Sequence, residues 1–193
     1  MDKTFTKAVT CSGDAWLMDY TEQTDSARGV EIHFAAPTDI EAMHLKNPRC
    51  MEYLAVNFEE HLDFFRCADG STVSNCEAMF VSTSGTMPWL LLAELKYGLE
   101  KNARKNTKEA KDQLLDTLDH LRLKGLVSET SHNFYMNSCS PGNSAKEPFL
   151  NFKKTQLDKL EAYSKQGYKI NVLGYNDLLI LSQSLVLVPK KVV

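Results

Sequence analysis

The chain lacks most of the patterns by which a sequence declares its chemistry. It has no CxxC pair and no two histidines at metal-ligand spacing, which argues against a structural zinc site. Its five cysteines, Cys11, Cys50, Cys67, Cys76 and Cys139, are odd in number and far apart, so reduced thiols are expected rather than a disulfide framework. No apolar run approaches the ~18 residues of a membrane span. The opening Met-Asp-Lys-Thr-Phe-Thr-Lys has no apolar signal core, so a cytoplasmic protein without membrane association is expected. There is no Gly-x-Ser-x-Gly elbow, no phosphate loop and no dinucleotide fingerprint. Excess positive charge is lacking too: the net charge is −3, so composition alone does not point to nucleic acid.

What remains is ordinary in bulk and unusual in detail. A chain of 193 residues, 43% hydrophobic and 24% charged, suits a single domain spanning 1–193 with a full core. The detail is Trp89-Leu-Leu-Leu-Ala-Glu-Leu-Lys-Tyr97, which reads as a buried strand yet carries Glu94 and Lys96. Positions two apart on a strand share a face, so the acid and the amine project together from the end of an apolar ribbon. Burying them beside leucines is costly unless they are paired or hold a metal. Seventeen residues upstream of Glu94, a second strand-like run, Val73 to Val81, carries another lone acid, Glu77. The turn-rich Ser82-Thr-Ser-Gly-Thr-Met-Pro88 between the runs predicts an antiparallel pair.

Around these strands the periodicity predicts alternating elements. Residues 1–47 are β-rich, with a strand over Gly29–Ala36 and a short helical turn from Thr38 or Asp39 through His44. From Pro48, the spacing of Met51, Leu54, Ala55, Phe58, Leu62 and Phe65 predicts an amphipathic helix. Asn106 as N-cap, with Glu109 three residues on, opens a helix whose buried stripe is Ala110, Leu114, Thr117, Leu118 and Leu121, stopped by Gly125. His132 to Cys139 reads as a third core strand and Pro148 to Gly167 as a further helix. Residues 168–193 are apolar and ambiguous, and Leu178–Val188 reads as strand or as part helix. The expected fold class is α/β, a central mixed sheet flanked by helices, its core at about 48–140, with the β-rich segment 1–47 before it and helix and strand elements at 148–193 after it.

Two acids and a lysine on neighbouring strands can hold a divalent ion and assist phosphodiester cleavage. Mg²⁺ takes oxygen ligands and keeps several waters, so Glu77 and Glu94 suffice as protein ligands. A lysine two residues from a ligand reaches the same water or the scissile phosphate, which is the place of Lys96. The alternative is an edge-strand ion pair between Glu94 and Lys96 with solvent-facing heads. Between Lys101 and Lys111 five basic residues accompany one acid; they read either as a solvated helix start or as a surface for a phosphate backbone.

This Glu-Leu-Lys triplet closing an apolar strand, with an acid on the preceding strand and Gln113 on the following helix, resembles the PD-(D/E)xK nuclease superfamily, which has the restriction-endonuclease-like fold. The resemblance covers roughly residues 50 to 140. It implies a core of helix, strand, hairpin, strand, helix, strand, and a site in which Glu77, Glu94 and Lys96 bind Mg²⁺ or Mn²⁺ and activate water. It further implies that Glu59 or Glu60 on the first helix joins the metal, and that Gln113 reaches the site. Lys101, Arg104, Lys105 and Lys108 would line the approach of DNA, and a homodimer is compatible with it. The sequence departs from the family in having Glu77 where Asp is usual, after Cys76, and in lacking a Pro-Asp pair. A catalytically degenerate module that binds nucleic acid or protein is the competing expectation.

Overall fold

The structure, a computed structural model, describes residues 1, 3–23, 28–97, 103–141 and 157–189. In chain order the elements are β1 Val9–Cys11, β2 Ala15–Asp19, α1 Tyr20–Gln23, β3 Val30–His33, β4 Met43–Lys46 and β5 Tyr53–Asn57. A 3₁₀ helix Phe58–Phe65 follows, then β6 Ala78–Ser82, β7 Trp89–Leu95, α2 Ala103–Leu123 and β8 Asn133–Cys139. After it come α3 Leu157–Lys165, β9 Ile170–Leu173, β10 Asp177–Ser182 and β11 Leu185–Leu187.

The architecture is mixed α/β and is organised about β7, whose seven residues are all buried. It lies inside a six-stranded sheet of order β1-β5-β6-β7-β8-β9. Pairing is antiparallel from β1 to β7 and parallel from β7 to β9. The β6–β7 hairpin turns through Gly85 at φ +108°, a conformation that favours glycine. The parallel step from β7 to β8 needs a crossover, and α2 supplies it. Helix α2 ends at a glycine: Gly125 has φ +69°, its N–H bonds Arg122 O, and Leu126 N bonds Leu121 O.

Alternation along β7 builds two cores. Leu90 and Leu92 pack with Met79, Val81, Phe134 and Met136 beneath Leu114, Leu118 and Leu121 of α2. Trp89, Leu91, Ala93 and Leu95 face the other way, against a second sheet of order β11-β10-β4-β2-β3 that contributes Leu17, Met43, Leu45, Leu178 and Ile180. Helices therefore cover one face of the central sheet, and a sheet, not the expected helices, covers the other. The second sheet joins segments from both sides of the 48–140 core: β10 pairs parallel with β4, Asp177 opposite His44. A polar clasp marks this seam. His44 lies 2.8 Å from Asp14 and 3.6 Å from Asp177, is stacked on Trp16, and Lys46 lies 3.0 Å from Asp177. Among the described residues, no helix is long and apolar enough to cross a membrane.

Several predicted elements change type. The helix read from Pro48 is β5 followed by the 3₁₀ helix, which is kinked at His61 (φ −131°, ψ 30°). Tyr53, Leu54, Ala55 and Val56 are buried on both faces between β1 and β6, and two-sided burial imitates a helical stripe over so short a run; Leu62, assigned to that stripe, is exposed. The helical turn predicted up to His44 is instead the start of β4, where Met43 and Leu45 alternate inward. The strand predicted over 72–81 begins only at Ala78. Helix α2 begins at Ala103, so Asn106 sits in its first turn rather than capping it. Residues 148–156 of the last predicted helix lie outside the described residues; α3 carries Leu160 and Tyr163 into the core and is followed by Gly167 at φ +92°.

Glu59 ties the 3₁₀ helix to β3. Its carboxylate accepts the Val30 N–H and occupies the space that a Cβ on Gly29 would need. Gly29→Ala must displace that carboxylate. Gly29→Ala and Glu59→Ala should therefore each cost about 1 kcal/mol, and the double variant no more than either single, as measured by denaturant unfolding in a double-mutant cycle. Additive losses would show that the two residues act separately.

Candidate active site at the end of strand β7

The β6–β7 ladder runs in register from Val81↔Leu90 to Ala78↔Ala93 and then stops. One residue before β6 the chain bends, and the Glu77 side chain takes over the ladder: its Oε2 accepts the Leu95 N–H at 2.8 Å. Glu77 is fixed from two further sides. Its carbonyl accepts the Phe58 N–H at 2.9 Å, and the preceding Cys76 N–H donates 2.8 Å to Thr117 Oγ1 on α2.

Glu94 is the sixth residue of β7 and is fully buried. Alternation places it on the α2 side with Leu90 and Leu92. Lys96 follows the strand; its N–H still bonds Cys139 O at 2.8 Å, and its Nζ lies 2.6 Å from Glu94 Oε1. The lysine side chain is 12% exposed against 0% for the glutamate, so the pair spans the boundary between core and solvent. Glu77, Glu94 and Lys96, singled out in the sequence, thus meet at one end of the central sheet.

A fourth charged group joins them that sequence reasoning missed. Asp19 ends β2 in the second sheet, is buried, and contributes to the field at Glu77. Its N–H donates to the Tyr97 hydroxyl at 3.3 Å, and that hydroxyl donates to Glu41 O at 3.0 Å, so the residue after Lys96 ties the two sheets together beside the site. The signal was present: Asp19 closes Ala15-Trp-Leu-Met18 as Glu94 closes its leucines, a lone acid at the end of an apolar strand.

The electrostatics follow from burial. Desolvation raises the Glu77 carboxyl well above the usual carboxylate range, Glu94 and Asp19 raise it further, and Lys96 and the Leu95 N–H only partly oppose them. At Glu77 the neighbouring acids outweigh Lys96, which favours a bound proton or cation there. Burial likewise pushes the Cys76 and Cys139 thiols up, which leaves them as packing residues rather than nucleophiles.

The other predicted residues are placed differently. Gln113 donates from Nε2 to Asn75 O at 3.3 Å and so steadies the chain leading into Glu77. The Glu59 carboxylate is engaged with the Val30 amide, and Glu60 is exposed, lining a cavity of about 200 Å³ with Lys7, His33 and Phe34. Lys105 is exposed and lies 3.5 Å from Glu109 one helical turn on; Lys108 is exposed. Lys101 lies outside the described residues, as does the side chain of Arg104, whose backbone is in the first turn of α2. Lys111, from the same basic run, is buried, which lowers its pKa to about 8. Of the histidines, His120 Nε2 lies 2.8 Å from Phe64 O, and burial lowers His132 to about 4. Among the described residues, no group of three or more His, Cys, Asp or Glu is arranged to hold a metal ion.

A carboxyl group raised in the folded state binds its proton more tightly there than in the unfolded chain. Its stabilising contribution is therefore present below the ordinary carboxylate range and is lost as pH rises through the raised value. In chelator, the wild-type melting temperature should fall as pH rises above the ordinary carboxylate range, and Glu77→Gln should flatten that fall and melt higher at neutral pH. Thermal melts across pH check this, and an unchanged slope in Glu77→Gln would remove Glu77 as the proton carrier. Compared with protein-family models, curated proteins and solved structures, the chain has no match in any of the three.

Proposed function

We propose that the protein is a metal-dependent nuclease of the PD-(D/E)xK type, hydrolysing DNA phosphodiester bonds in the cytoplasm. The observation that carries this reading is the meeting of Glu77, Glu94 and Lys96 at the carboxyl end of one central strand, with Lys96 Nζ 2.6 Å from Glu94 Oε1 and Glu77 bonded to Leu95 N. The chain path through the site supports it. Antiparallel β5, β6 and β7, the crossing helix α2 and parallel β8 follow the strand, hairpin, strand, helix, strand order that the resemblance implies. The helix expected from Pro48 through Phe65 is, in that path, β5 followed by the 3₁₀ helix. Five free cysteines suit a reducing compartment.

For magnesium or manganese we assign Glu77 and Glu94, a pair of carboxylates rather than a full protein cage. Glu77 and Glu94 offer hard carboxylate oxygens, and Mg²⁺ binds through one or two carboxylates while keeping waters in its other positions. Bound there, the ion would neutralise phosphate charge and acidify a water. The rest falls to the chain. Lys96 presents an ammonium at the solvent boundary, where an arriving water or phosphate oxygen would reach it. A fixed positive charge at that point favours the hydroxide form of the water and stabilises the charge that builds on phosphorus. Glu94 directs the ammonium, and Gln113 holds the backbone that sets Glu77. Lys105 and Lys108, exposed on the first turns of α2, would meet the flanking phosphates.

One observation favours a second reading, a catalytically inert binding module of the same architecture. The buried Glu94 and the Lys96 ammonium already neutralise each other at 2.6 Å, which would suit a purely structural role. Purified protein incubated with single- and double-stranded DNA and Mg²⁺ or Mn²⁺ separates the two. The nuclease reading expects metal-dependent cleavage that falls by about 100-fold or more in Lys96→Ala and Glu94→Gln, with circular dichroism unchanged. Cleavage by Lys96→Ala at the wild-type rate would overturn the assignment.

A further inference from the structure

The strand beside β7 carries a polar residue that the reading above does not use. Ser138 lies on β8 in register with Glu94, and parallel neighbours in register share a face, which places its side chain next to the glutamate on the α2 side. It is fully buried, and its Oγ makes no hydrogen bond. The residues around it are satisfied. Asn137 bonds the backbone of Tyr175 through both its Nδ2 and its Oδ1, Cys139 Sγ donates to Glu94 O, and Ser140 Oγ donates to Lys96 O at 2.6 Å. Of the four side chains at 137–140, only the Ser138 hydroxyl is left without a partner, at the position paired with the buried acid.

An orphaned hydroxyl is destabilising in a core, and alanine or valine would serve packing better on a strand that is buried on both sides. Its place gives it a use. Glu94 is held by Lys96 at 2.6 Å, and in the proposed reaction Lys96 must also turn toward a water or a phosphate, which weakens its hold on the carboxylate. A hydroxyl beside it can donate to one carboxylate oxygen and leave the other aimed at a cation. Partners of this kind fix the direction of a metal-binding carboxylate, and removing one typically weakens metal affinity by about 10–100-fold.

We propose that Ser138 is a positioning residue for Glu94, donating its hydroxyl to the carboxylate when the site holds a divalent ion. The inference rests on the nuclease reading. Its test uses Mn²⁺ binding to the full chain, followed by the loss of the free-ion electron paramagnetic resonance signal, together with thermal melts in chelator. Ser138→Ala should weaken Mn²⁺ binding about 10–100-fold while the melting temperature in chelator stays level or rises, since the variant removes an unsatisfied buried group. In Glu94→Gln, the added Ser138→Ala change should have no further effect on binding. A merely structural serine would instead lower the melting temperature and leave the affinity alone. Wild-type affinity in Ser138→Ala, with binding lost in Glu94→Gln, would overturn the role of Ser138 and spare the metal site. Undiminished Mn²⁺ binding by Glu94→Gln, or no binding by the wild type, would overturn both.

Discussion

Everything at this site depends on β7 being buried on both of its faces. A strand walled by α2 on one side and a second sheet on the other has no water with which to solvate a charge, so the acid at its end must be answered by the protein. Lys96 answers Glu94 at 2.6 Å. Glu77 adds a second acid, and its own side chain completes the ladder where β6 gives out. The geometry of the three groups therefore follows from where two strands stop pairing, which the register of β6 against β7 fixes to the residue.

The same burial sets stability against chemistry. Glu94 and Asp19 act on Glu77 more strongly than Lys96 opposes them, and Ser138 keeps an unsatisfied hydroxyl in register with Glu94. A domain selected only for stability would carry neutral residues at these positions, because replacing a buried charged group by a well-packed neutral one is often stabilising. Local features that cost stability and recur at one strand end are the expected mark of a site kept for a purpose. Cys76 and Cys139, in the same neighbourhood, fit this division: burial makes them inert, and they serve as filler between the charged groups.

The parts legible in the sequence were those with local signals. The leucines of β7 with an acid and amine at their end, the turn before Pro88, the stripe of α2 ending at Gly125 and the run to Cys139 all correspond to observed elements. The misreadings share a cause. Tyr53 to Val56 is apolar on both faces over a few residues, and at that length helix and strand periodicities cannot be told apart. The second sheet had no local signature at all, because it is assembled from β2, β3 and β4 at one end of the chain and β10 and β11 at the other. Asp19 was missed with it, since only that sheet brings β2 to the end of β7. Glu59 or Glu60 was assigned to the metal by resemblance, on a helix read from Pro48; Glu59 lies in the 3₁₀ helix, where its carboxylate accepts the Val30 N–H.

The parallel pairing of β10 with β4 has a consequence for how the molecule comes to exist. Arg49 bonds Leu181 across 132 residues of chain, and the His44 clasp needs Asp177 before it can close. A ribosome delivers β5 through β8 as a nearly contiguous block, so the helix-covered half of the central sheet has its partners early. Its opposite face must wait for β10 before the seam can form. During that interval Trp89, Leu91 and Phe80 lack their full cover, and the nascent chain is most open to aggregation or to chaperone capture. Pairing at such sequence separation slows folding in general, and the second sheet carries it here between β10 and β4.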